Sequence, residues 1–295
     1  MSQNTLLFEH ISPPASAQPV DRRDFIKGAL ATGFASAVLP ISAQTIYTDI
    51  VDLTTGEVKI PTSDGSIPAY FAMPTQGKNL GLGLVLVVHE IFGVHEHIKD
   101  ICRRLAKAGY YAIAPELFVR QGDVSILSNI QDIQKNVTNK VPDAQVMSDL
   151  DACVAYASNQ KSVNPAKLAI TGFCWGGRIT WLYCAHNPKV KAAAAWYGRL
   201  EGNPSELTPK HPIDLVTKIN TPVLGLYGAA DTGIPVESVE RMQKALASTH
   251  KKSQILLYPD TPHAFNADYR PSYREAAAKD AWGKLLKWFK NHGVS

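Results

Sequence analysis

The sequence predicts an α/β fold with a mainly parallel central sheet and helices on both faces. Three observations carry this. Apolar runs of strand length, among them LVLVV (84–88), KLAIT (167–171), VKAAAAWYG (190–198) and QILLYP (254–259), alternate with segments of helical spacing. That order lays parallel strands side by side under crossover helices. The LVLVV run is continuous rather than alternating, the mark of a strand covered on both faces. Reactive side chains also stand just past several strand ends, where a parallel sheet gathers its ligands.

Taken in chain order, residues 1–43 stand apart. Paired Arg22 and Arg23 are followed by Phe25, Lys27 and an apolar stretch too short to span a bilayer; Ala35-Ser36-Ala37 and Ser42-Ala43 then offer cleavage points. The segment resembles a twin-arginine export signal, with Asp21 where Ser or Thr is commoner, and predicts a protein exported to the periplasm. A leader that is never processed, with the protein cytoplasmic, is the alternative. Residues 44–295 then read as a single domain.

In that domain GEVKIPTSDGSIPAYFAMP alternates around Asp64-Gly65 and predicts a β-hairpin. After LVLVV, Ile98, Ile101, Cys102 and Leu105 recur at helical spacing, and Gly109 supplies a stop. YYAIAP is the next strand. Residues 120–140 are polar and irregular and read as a lid or loop. Pro142 opens a helix with Val146, Leu150, Cys153, Val154 and Ala157 on one side. Strand, elbow and helix follow at 167–186, then strands 190–198 and 222–228, helix 236–247, strand 254–259 and a terminal helix.

Composition narrows the function. With 45% hydrophobic and 19% charged residues among 295, the chain is long enough to bury a core without disulfides or metal. A formal charge of +4, spread over pairs such as Arg103-Arg104 and Lys251-Lys252 that read as solvated helix faces, offers no basic stripe for nucleic acid. Four cysteines (102, 153, 174, 184) show no metal spacing. Three fall in helical patterns, where a small buried thiol is the default; only Cys174 lies at a turn. His95 and His97 have no third partner at ligand spacing and read as capping or surface residues. No metal, cofactor or nucleic-acid partner is expected, and the sequence leaves the oligomeric state open.

Glu90 follows the strand LVLVV, Cys174 follows KLAIT, Asp231 follows PVLGLYG and His263 follows QILLYP. The last three stand in the order nucleophile, acid, histidine, which is the order of the α/β-hydrolase fold. GFCWGG (172–177) has the glycine spacing of a nucleophile elbow, with cysteine where serine is usual. Asp231 would orient His263, although a helix cap is its plainer use. The backbone N–H groups of Ile91 and Trp175 are the expected oxyanion donors.

These motifs (HEIFG, GFCWGG, PELFVRQGD, the GAAD acid loop and the HAF histidine loop) resemble the dienelactone hydrolase family over roughly residues 55–290. The resemblance implies a Cys174–Asp231–His263 triad that opens a lactone through a thioester acyl-enzyme, with Glu90 taking part in activating the thiol and Arg120 binding a substrate carboxylate. It also implies a second arginine four residues past the histidine, where this chain has Ala267. Arg270 is out of register, and Asn266 is the substrate-binding substitute. Glu90 is expected to hold a neutral S–H···carboxylate pair with Cys174 until substrate arrives. A general carboxylesterase or thioesterase on the same triad, and a non-catalytic exported binding protein, are the alternative functions.

Overall fold

The computed structural model describes residues 45–77, 81–249 and 252–295. The export-signal reading, on residues 1–43, lies outside them. One eight-stranded sheet runs through the domain in the order β1-β2-β4-β3-β5-β6-β7-β8. β1 (Leu53–Thr62) and β2 (Gly65–Pro74) form the expected hairpin, turning at Asp64 and joining the edge antiparallel to β4 (Tyr111–Pro115). β3 (Leu82–Val88), β4, β5 (Val163–Phe173), β6 (Ala192–Trp196), β7 (Val223–Gly228) and β8 (Gln254–Tyr258) are all parallel. Every residue of β3, β4, β6 and β7 is buried. A Val, Leu and Ala run with no polar alternation has no face to give to water.

Among the described residues six α-helices complete the fold: α1 (Glu96–Lys107), α2 (Ile130–Asn136), α3 (Asp143–Ser158), α4 (Trp175–His186), α5 (Val236–Ala247) and α6 (Glu275–Asn291). Right-handed crossovers put α3, α4 and α5 on one face and α1 on the other, because β3 to β4 runs along the sheet opposite to the later steps. The order reverses at β3, so the ends of β3 and β5 open the crevice a reactive group needs. The segment read as a lid is more ordered than expected: Asn129 caps α2 by accepting the Asp132 N–H at 2.8 Å.

Two readings of charge are corrected. Arg103 and Arg104 do not form a solvated face. Arg103 is buried against Glu96 and Asp100, and Arg104 bridges Asp100 to Asp268. His95 occupies the N-cap position of α1, yet its side chain makes no cap and turns inward. His97 is buried as well, with Nδ1 3.5 Å from Asp268. Among the described residues no group of His, Cys, Asp and Glu could hold a metal ion, and no helix is long and apolar enough to cross a membrane.

Candidate active site

The elbow is enforced by close packing. Cys174 sits at φ 55°, ψ −113°, a conformation that costs a non-glycine residue energy and points its side chain out of the turn. Its N–H donates to the Trp196 carbonyl at 3.0 Å, pinning the turn to β6. A Cβ on Gly172 would lie 2.2 Å from the Gly176 carbonyl oxygen, and one on Gly176 would lie 2.3 Å from that of Val88. Only bare glycines let the start of α4 close onto the ends of β3 and β5.

Five adjacent strand ends then deliver the site: Glu90 past β3, Cys174 past β5, Tyr197 past β6, Asp231 past β7 and His263 past β8. Asp231 is buried and divides its oxygens. Oδ1 accepts the N–H groups of Gly233 and Ile234 at 2.8 and 3.1 Å, which is the capping use; Oδ2 lies 2.6 Å from His263 Nδ1. The far side of the imidazole meets Cys174. Burial of the ring favours its neutral form. The charge of Cys174, the hydrogen bonds the ring donates to Asp231 and Cys174, and the charge of Asp231 outweigh this and raise the histidine to about 10. Cys174 remains partly exposed, whereas Cys102, Cys153 and Cys184 are buried and their thiols pushed up by that burial.

Among the described residues no backbone carbonyl in a turn, loop or cap accepts from the N–H of Ile91 or of Trp175. Tyr197, which sequence reasoning missed, packs edge-on against the His263 ring at 5.1 Å. Its phenol is buried and acted on by the charges of both Glu90 and Cys174. Tyr197 OH, Glu90 Oε1 and Asn266 Nδ2 are buried polar atoms without a hydrogen-bond partner among the described residues.

Two expected contacts are replaced by others. Glu90 makes no hydrogen bond to the Cys174 thiol among the described residues; its Oε2 accepts the Tyr269 hydroxyl at 2.6 Å and lies 3.6 Å from His95 Nε2. Burial pushes this carboxyl up, but the hydrogen bond and charge of His95, then His97 and Arg270, bring it below its usual range. Arg120 does not reach into the site. Its Nε and Nη2 bind Asp64 at 2.6 and 2.7 Å, its Nη1 and Nη2 bind Asp149 at 2.7 and 3.0 Å, and Thr62 completes the fork. Two carboxylates already saturate the guanidinium, so Arg120 ties the lid segment to the β1–β2 hairpin and α3. Arg270 is the cation left beside the site. It lies 5.9 Å over the Phe92 ring, its charge acts on Glu90 and Tyr197, and among the described residues no carboxylate pairs with it.

A doubly wound sheet carrying a strained elbow cysteine, with an acid and a histidine on the later strand ends, matches a carboxylic ester hydrolase of the α/β-hydrolase fold. Comparison with known proteins narrows the class. Residues 67–293 match the model of the dienelactone hydrolase family, and the chain belongs to that family. It is 58% identical over 282 residues to a Methylorubrum extorquens protein assigned as a carboxymethylenebutenolidase, covering 95% of this chain and 96% of the other. A Klebsiella pneumoniae crystal structure assigned as a dienelactone hydrolase superposes with a TM-score of 0.79 at 52% identity, over 81% of this chain and 98% of that one. A more distant relative from Bradyrhizobium, 31% identical over 254 residues (85% of this chain, 97% of the other), is assigned as a 2-oxo-3-(5-oxofuran-2-ylidene)propanoate lactonase.

Proposed function

We propose that the protein hydrolyses lactones or activated esters that carry a carboxylate, through a thioester on Cys174. The alignment of Asp231, His263 and Cys174, with the Oδ2···Nδ1 contact at 2.6 Å, carries this reading. The Cys174 sulfur, its proton held by His263, attacks the carbonyl carbon, and the resulting oxyanion accepts from the Ile91 and Trp175 N–H groups. As the intermediate collapses, the carbon–oxygen bond of the ring breaks. The imidazolium of His263 then protonates the departing oxygen, which in a lactone stays attached to the acyl chain. A water deprotonated by His263 attacks the thioester, releasing the acid and restoring the thiol.

Glu90 keeps a different task from the one its position first suggests. Hydrogen-bonded to Tyr269 and flanked by His95, it fixes a negative charge behind the thiol, and its remaining oxygen and the Tyr197 hydroxyl are polar contacts for the substrate.

Arg270 is the residue for a substrate carboxylate, since a planar guanidinium offers two parallel charge-assisted bonds. The experiment is a substrate comparison. Wild-type protein is expected to open carboxylate-bearing lactones, and Arg270→Ala to lower kcat/KM for them by about 10- to 150-fold, the loss of a bond worth roughly 1.5–3 kcal/mol. Neutral esters should change by less than about threefold. Arg120→Ala should leave the acid-to-neutral ratio unchanged while lowering stability by about 2–3 kcal/mol, because it strands the buried Asp149. No turnover of any lactone or activated ester would overturn the function; an equal loss on acidic and neutral substrates in Arg270→Ala would overturn the carboxylate.

Export through the twin-arginine route is the second part of the proposal, resting on Arg22, Arg23 and the small residues after the apolar run. Replacing both arginines with lysine is expected to leave the full-length protein in the cytoplasm. Wild type and variant of equal mass in the same cell fraction would refute it.

A further inference from the structure

One donor of the oxyanion hole is a loop N–H, that of Ile91, and in a loop nothing in the backbone ladder fixes which way a peptide faces. The neighbouring His89 side chain supplies that constraint. His89 directly follows β3 and is fully buried. Its Nε2 meets the Leu117 N–H at 3.1 Å, and its Nδ1 meets the Glu90 carbonyl oxygen at 2.7 Å. A backbone N–H only donates and a carbonyl only accepts, so Nε2 carries the lone pair and Nδ1 the proton. Glu116 Oε1, 3.5 Å from Nε2, is too far to compete and instead accepts the Phe118 N–H at 3.4 Å. The tautomer is therefore set by two backbone partners.

The Glu90 carbonyl and the Ile91 N–H belong to one planar trans peptide and point in opposite directions. Drawing the carbonyl oxygen onto His89 turns the Ile91 N–H the other way. The same ring lies nearly parallel to the Trp175 indole (13°, centroids 5.6 Å apart), with Phe118 edge-on at 4.6 Å. Trp175 provides the second N–H. A Cβ on Gly176 would come within 2.5 Å of the His89 carbonyl oxygen, so the two donor segments meet at this residue. One side chain thus touches both halves of the hole without facing the thiol itself.

We propose that His89 is a positioning residue for transition-state stabilisation: it orients the Glu90–Ile91 peptide by hydrogen bonding and props the Trp175 segment by stacking. This rests on the reading that the Ile91 and Trp175 N–H groups receive the oxyanion. The test uses the full chain and three variants. His89→Asn keeps a donor near the Nδ1 position, His89→Gln moves it toward Nε2, and His89→Leu removes it. Loss of one oxyanion donor lowers kcat by about 10²- to 10³-fold. His89→Leu is expected to lose about 10²-fold in kcat with KM changed less than about threefold, and His89→Asn to recover at least about tenfold of that. His89→Gln carries the comparison if the leucine variant fails to fold.

A second readout comes from the folded protein acylated with p-nitrophenyl cinnamate and held at mildly acidic pH, where deacylation is slow. The infrared carbonyl stretch of the Cys174 thioester should lie lower in wild type and His89→Asn than in His89→Gln or His89→Leu. Unchanged kcat and stretch in His89→Leu, or a loss that asparagine does not rescue and the stretch does not follow, overturns the proposal. Failure of the wild type to form any acyl-Cys174 overturns the reading beneath it instead.

Discussion

Cys174→Ala is expected to lower kcat/KM for lactone and ester substrates by about 10⁴-fold or more, the usual consequence of removing the nucleophile of a triad. Fold stability should move by less than about 1 kcal/mol. The reason for the second figure is local. Alanine keeps the Cβ, the N–H that binds the Trp196 carbonyl at 3.0 Å and the position at φ 55°. Only the partly exposed sulfur is lost. Cys102→Ala provides the contrast, since that thiol is fully buried in α1; it should keep its activity and lose about 1 kcal/mol of stability. In a rapid-quench experiment the wild-type peptide containing Cys174 should carry the acyl mass, and the alanine variant none. Undiminished turnover in Cys174→Ala, or acyl mass elsewhere in the chain, would place the chemistry on another residue.

Much of this site is legible in the sequence because its main parts are local. A strand followed by a bare-glycine turn announces the elbow at 172–177, and Asp231 and His263 each stand within a few residues of a strand end. What the sequence misjudged is decided by contacts between distant segments. Glu90 finds its hydroxyl partner in Tyr269, 179 residues away, and so does not pair with the thiol beside it. Arg120 is taken up by Asp64 and Asp149, 56 and 29 residues distant, neither of which its own motif reveals. Arg103, Arg104, His95 and His97 look like surface residues because they lie on a polar stretch. Arg103, Arg104 and His97 are drawn inward because Asp100 and Asp268 meet them from two elements, and His95 because Glu90 lies beside it. Tyr197 follows a plain run of alanines, and only the order of strands in the sheet brings it to His263. Arg270 lies seven residues past the histidine rather than four, a register that the loop's own fold decides: Ala267 N–H returns to the Ala264 carbonyl and Arg270 N–H to that of Ala267.

Asp231→Asn is the second large effect, expected to lower kcat/KM by about 10³- to 10⁴-fold with little loss of structure. Asparagine keeps an Oδ1 acceptor for the Gly233 and Ile234 N–H groups, which hold the turn after β7 at 2.8 and 3.1 Å. It replaces the carboxylate oxygen at His263 Nδ1 by an amide N–H, so the ring is pushed toward the tautomer with its proton facing the thiol, the wrong one for a base. The pH dependence gives the sharper test. In the wild type, burial favours the neutral ring, and interactions with Cys174 and Asp231 overcome this to hold the imidazolium up to about 10. In the proposed mechanism that proton is the one given to the departing oxygen. Activity is therefore retained below about pH 10 and lost as pH rises through that value, which a profile of kcat/KM reads in the free enzyme. Removing the carboxylate removes both its hydrogen bond and its charge, so the histidine falls and the alkaline limb moves to lower pH. An alkaline limb that stays in place in Asp231→Asn would show that Asp231 only caps the turn and that His263 is held charged by Cys174 alone.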